Sequence, residues 1–233
     1  MERAKGRACA RMGISRISAA TNSGTTVAIG THAPNDTPVI LAYRDNSATA
    51  PTVPSGWNYF QVGSGTTAFS IGWKRATSAG ETSGTWTNAT ALHALVYRGG
   101  ADKIVVPKFL SQTTGTSATI AINAQTSGSF EVNDEETWLL AFIAQRNPSN
   151  NLQSASWTGL TNVTSSTDSS AWQAVANDSN ADRTTAWPTT SATVANSAVW
   201  RTFLLALQEV PTQSAGGGGG IFFRPGMSAG MSE

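Results

Sequence analysis

The stretch TPVILAYRDNSATAPTVPSGW, residues 37 to 57, decides how this chain is read, because TWLLAFIAQRNPSNNLQSASW at residues 137 to 157 repeats its plan. Each copy has an apolar run, a polar stop, a loop rich in Ser, Asn and Pro, and a closing tryptophan, Trp57 in one and Trp157 in the other. The echo runs on: Trp73 is matched with Trp172, Trp86 with Trp187, and ALHALVYRG at 91 to 99 with WRTFLLALQE at 200 to 209. Tryptophans and strand patterns recur, but no acid, base or nucleophile recurs with them. The repeat predicts a duplicated scaffold.

The surrounding sequence is also written in strands. Phe69, Ile71 and Trp73 share one face with Ser70, Gly72 and Lys74 opposite, and Ile120 and Ile122 alternate with Thr119, Ala121 and Asn123, the period of half-buried strands. Val39 to Ala42, Trp138 to Ala144 and Phe203 to Leu207 are continuously apolar, as central strands covered on both faces are. No long segment keeps a helical stripe, because Thr, Gly and Asn interrupt each candidate. An all-β fold follows, an antiparallel β-sandwich that is jelly-roll-like, over residues 25–210, with halves at about 25–115 and 116–210. The joining segment carries Ile104 to Val106 and Phe109 to Leu110, which read as buried and favour one domain. Residues 1–24 read as a basic N-terminal arm and lead-in strand, and residues 211–233 as a glycine-rich tether with a C-terminal docking tail.

A chain of 233 residues and 24.2 kDa buries roughly 70% of its unfolded surface, so stability needs no disulfide. The single cysteine, Cys9, allows none within the chain. Charged residues make up only 12%, but 39% hydrophobic content with eight tryptophans weighs against disorder in the body. A net charge of +1 weighs against a nucleic-acid or anionic-membrane partner, since both require a basic face. No apolar run is long enough for a membrane span, and no secretory core follows the basic N-terminus, so the protein is expected either to stay in the cytoplasm where it is made or to leave it by lysis.

Motifs of chemistry are few. GMSAG at 226 to 230 fits a nucleophile elbow with Ser228, but the elbow needs a strand before it, a helix after it and a later histidine. His32 and His93 lie far upstream, without metal-ligand spacing, and read as structural. Asp134-Glu135-Glu136 reads as turn chemistry ahead of a strand. Asp178, Asn180 and Asp182 have the 1, 3, 5 spacing of a calcium loop, but Arg183 stands where its glycine belongs and Thr189 where its glutamate belongs. The expectation is a non-enzyme with no cofactor and no metal.

The ends carry the interaction signals. Arg3, Lys5, Arg7 and Arg11 stand against Glu2 alone, suited to acidic neighbours. Beyond the tether QSAGGGGG, the cluster Ile221, Phe222 and Phe223, with Arg224 beside it, forgoes roughly 1.5–3 kcal/mol for each aromatic left in water. These eight residues are the partner-binding candidates. Trp86 and Trp187, in threonine-rich stretches, are the candidates for stacking on a sugar ring.

Pro54-Ser55-Gly56-Trp57, an apolar strand, and a close on Val96-Tyr97-Arg98-Gly99 together resemble a duplicated β-sandwich of tailed-phage virion proteins, over about residues 25 to 210. The second copy departs from that pattern, with Ser-Ala-Ser-Trp at 154 to 157 and Leu-Gln-Glu at 207 to 209. The resemblance implies a non-enzymatic component of the virion exterior, whether capsid decoration, head-fibre or tail protein. Its partners would be other virion proteins and further copies of itself, and it carries no catalytic residues over. The alternative is a carbohydrate-binding module or adhesin that holds a host surface glycan through Trp86 or Trp187.

Overall fold

The structure, a computed structural model, describes residues 13–126, 136–147, 149, 151–168, 171–183 and 185–212. Strands β1 (Ser15–Ser23), β2 (Thr37–Asp45), β3 (Asn58–Ser64), β4 (Thr67–Trp73) and β5 (Ala91–Arg98) form one sheet in the order β1-β5-β2-β4-β3. Strands β6 (Lys103–Ile122), β7 (Thr137–Gln145), β8 (Thr161–Asp168), β9 (Trp172–Asp178) and β10 (Thr190–Pro211) form the other, in the order β6-β10-β7-β9-β8. Every neighbouring pair is antiparallel. The helical content among the described residues is a single 3-10 turn at Leu152–Ser154. The chain is therefore an all-β sandwich of two five-stranded sheets.

Both sheets have the same strand order, and each is filled by one half of the chain. A jelly roll instead passes strands back and forth between its sheets, so the expected jelly-roll connectivity is not the one adopted. Consecutive strands stay in one sheet because the loops between them, most of them long, turn back over that sheet's own outer face. The link from β3 to β4 is instead a tight turn at Gly65, whose φ of 62° suits glycine. The change of sheet falls between Arg98 and Lys103, ahead of the division placed at 115.

The continuous apolar runs are covered on both faces. Val39, Leu41 and Tyr43 enter the interior shared by the two sheets, as do Leu140, Phe142 and Ala144. Ile40 and Ala42 point the other way, into an outer cluster with Trp57 and Trp86. Leu139, Ala141 and Ile143 do the same beneath Trp157, Trp187 and Trp200. Each sheet is thus sealed outside by its own loops, and those loops need tryptophans because a sheet face left bare would forgo about 25 cal/mol per Å². In the second half β6 and β10 run on as a two-stranded ribbon, Thr190 to Thr193 opposite Thr119 to Ile122, which completes the outer cover.

Two pairings drawn from the sequence echo shift in three dimensions. The echo sets Val39 against Leu139, yet these lie on opposite faces; keeping the faces in step pairs Val39 with Leu140, and the same shift pairs Trp86 with Trp187. A slip of one residue exchanges the two faces of a strand, so packing decides the register that letters alone leave open. Trp73 closes β4 while Trp172 opens β9, so these two indoles stand at opposite ends of strands that hold the same place in their sheets.

Candidate functional site

Arg3, Lys5, Arg7, Arg11, Ile221, Phe222, Phe223 and Arg224 lie outside the described residues, as do Ser228, Asp134 and Glu135. The two glycan candidates are interior. Trp86 is 0% exposed, with its ring 5.7 Å from that of Trp57 in an edge-on contact and its Nε1–H donating to the Ser83 carbonyl at 3.0 Å. Trp187 is 4% exposed and exchanges two backbone hydrogen bonds with Gln125. Sugar stacking requires an open ring face, and each indole spends its faces on the outer cluster of its sheet instead.

The charged and titratable groups that the structure brings together stitch the sheets to each other. Arg16 on β1 reaches Asp178 on β9 at 2.6 Å, and the Tyr97 hydroxyl donates to the same carboxylate oxygen at 3.0 Å. Burial, with Asp178 beside it, pushes the Tyr97 hydroxyl well above its ordinary range. Arg146 meets Asp45 at 3.0 Å, and Asp45 also accepts from the Tyr43 hydroxyl at 2.7 Å. His93, wholly buried on β5, hydrogen-bonds the hydroxyls of Thr164 at 2.9 Å and Ser166 at 2.7 Å, both on β8. Burial drives its pKa down to about 3, so the ring is neutral. Of the calcium-like trio, Asp178 is committed to Arg16 and Tyr97, while Asp182 accepts the backbone N–H of Thr137 at 2.8 Å. Here Asp178, Asp45 and His93 act as fasteners aimed at partners across the interface, while Asp182 braces a strand of its own sheet.

Both ends of the described body meet at one pole of the sandwich. The backbone N–H of Ile14 donates to a Glu136 carboxylate oxygen at 3.0 Å, and the Glu136 carbonyl accepts from the Glu209 N–H at 3.1 Å. Thr212, three residues on, donates its N–H to the Asp102 carbonyl at 2.7 Å. The same pole gathers Arg98, held in a two-pronged contact with Asp36 at 2.6 and 2.7 Å that raises the guanidinium pKa, and Lys103, which reaches Glu209 at 3.4 Å. The chain therefore enters and leaves the body beside a ring of paired charges.

A groove of about 670 Å³ opens on the outer face of the first sheet. One wall is the end of β1 with the extended segment after it; the other is residues 81–85. Hydrogen bonds across its base fix the walls: Val27 N–H to Ser83 Oγ at 3.1 Å and Trp86 N–H to the Thr25 carbonyl at 2.8 Å. His32 ties a third point. The Glu81 backbone N–H donates to its Nε2 at 3.0 Å, so Nδ1 carries the proton and donates to the Gly30 carbonyl at 2.7 Å. On the rim, Glu81 is paired with Lys74 at 2.6 Å, and the hydrogen bond from Lys74, aided by those from Thr77, lowers the Glu81 carboxylate pKa to about 2. Sequence reasoning had no means of finding this groove. Its threonines look like the rest of a hydroxyl-rich surface until the fold sets residues 21–29 against 81–85.

No protein family, curated protein or solved structure matches this chain. Among the described residues, no helix is long and apolar enough to cross a membrane.

Proposed function

We propose that this chain is a non-enzymatic structural protein of the exterior of a tailed-phage virion, a capsid decoration, head-fibre or tail component. In this reading the two halves descend from one duplicated unit, and the finished protein is assembled in the host cytoplasm and released by lysis. The observation that carries the reading is the meeting of both ends at one pole, beside Glu136, Glu209 and Asp102. Two extensions leaving one end of a rigid body grip a support together and hold the rest outward. The basic segment with Arg3, Lys5, Arg7 and Arg11 and the apolar cluster Ile221 to Phe223 supply opposite chemistries for that grip, one for acidic neighbours and one for an apolar pocket. The identical strand orders of the two sheets, and the use of buried titratable groups as fasteners, fit a scaffold.

The test is made on gradient-purified particles from cultures that encode the chain. Co-sedimentation is expected, together with antibody access to an epitope inserted at Gly65, on the pole away from the ends, and loss of incorporation when residues 213–233 are removed. Recovery of the chain in the soluble fraction alone overturns the reading.

A further inference from the structure

We infer that the groove on the outer face of the first sheet is a binding site for a short, uncharged oligosaccharide. The inference goes beyond the structural role and stands on separate residues. Its basis is a match between lining and ligand. Thr21, Thr26, Thr82 and Thr85 line the groove and are exposed, and among the described residues their hydroxyls have no hydrogen-bond partner. Each offers one donor and two acceptor positions to a visitor. Between them Val27, Ala28 and Ile29 present aliphatic surface. Hydroxyl groups interleaved with aliphatic carbon complement a sugar, which shows hydroxyls around its rim and C–H groups on its faces.

Charge narrows the class. Among the described residues no Arg or Lys belongs to the lining, so a phosphate, sulfate or carboxylate group finds no counter-charge from them there. The one acid of the lining, Glu81, is already paired with Lys74 and accepts from the N–H and hydroxyl of Thr77, so a cation finds no free carboxylate. A neutral ligand remains. The volume lies inside the roughly 300–1,000 Å³ range of small-molecule sites. The cross-wall bonds from Val27, Trp86 and Glu81 hold the walls before any ligand arrives, and such preorganisation lowers the entropic cost of binding. The buried Trp86 packs with Val27 in the outer cluster behind the lining, a part different from ring stacking.

The full chain is titrated with neutral tri- to hexasaccharides of glucose, galactose and N-acetylglucosamine, while amide resonances are followed by two-dimensional NMR. At least one probe is expected to shift residues 21–29 and 81–85 with a Kd at or below about 1 mM. Thr85→Trp and, separately, Thr26→Trp fill the groove from opposite walls at exposed positions; each is expected to weaken binding at least about tenfold while the circular dichroism stays unchanged. The two substitutions guard against one of them disturbing the fold. The inference is overturned if no neutral probe shifts those residues, if the shifts map elsewhere, if both filled variants bind as before, or if sulfated or sialylated probes bind more tightly than neutral ones. Virion attachment is scored separately by co-sedimentation, so either idea can fail alone.

Discussion

Lowering the pH weakens this fold through His93 before any carboxylate is called on. The ring lies wholly buried between the sheets, 5.1 Å from Phe142 and bonded to Thr164 and Ser166, with its pKa lowered from 6.5 to about 3 by desolvation. The unfolded chain takes up a proton near pH 6.5, while the folded one refuses it until about pH 3. Stability is therefore complete above pH 6.5 and falls as pH falls, because the unfolded state binds more protons throughout that window. At about 1.4 kcal/mol per pH unit, the loss is about 2 kcal/mol at pH 5 and about 5 kcal/mol near pH 3. For a chain of this size 2 kcal/mol corresponds to a Tm lower by about 4–8 °C. The assay is urea unfolding of the wild type and of His93→Gln at steps from pH 7.5 to 5, with the difference between the two proteins as the readout. Glutamine keeps a donor and an acceptor for the two hydroxyls but takes no proton, so the variant is expected to lose the dependence assigned to this site. Equal slopes in the two proteins would refute the reasoning.

Other perturbations probe the packing. Asp178→Ala leaves the Tyr97 hydroxyl and Arg16 without their shared partner; because Arg16 is partly exposed, the loss is about 3 kcal/mol, at the low end for a broken buried pair, read by urea unfolding. Trp86→Ala costs about 3–5 kcal/mol by the same measurement, whereas an indole resting on the surface would cost under about 1 kcal/mol. A Cβ on Gly72 would stand 2.5 Å from the Trp86 ring and 3.3 Å from the Asn58 carbonyl. Gly72→Ala accordingly costs about 1–3 kcal/mol, and a double-mutant cycle with Trp86→Phe returns a coupling that shows the ring to be the obstacle.

Much of the sandwich was legible because its signals are local. Alternation at Phe69, Ile71 and Trp73 gave β4 as a strand but not the cover on its second face, where Ser70 and Gly72 are buried too, and the unbroken runs at 39–42 and 138–144 announced strands covered on both sides. Two features depended on the third dimension. The facing of Val39 against Leu140 is set by which residues the opposite sheet admits, and a period of two cannot distinguish a strand from the same strand slipped by one. The burial of Trp86 and Trp187 had the same cause: Thr-rich surroundings suggested the surface, but hydroxyls flank a buried indole at no cost when their own side chains point to water, as those of Thr85 and Thr87 do. His93 reads from the sequence as a structural residue. Its role as a tie between sheets depends on Thr164 and Ser166, far along the chain, and no local pattern records that distance.

Since Ile14 and Thr212 lie on either side of the same small patch, the body has no inherent first and last strand. A short peptide bridging the two would close the chain into a loop, and cutting at the Gly65 turn would give new ends at the far pole with every ladder intact. By the same geometry the sandwich suits splicing into a surface loop of an unrelated protein, since both of its ends leave on one side.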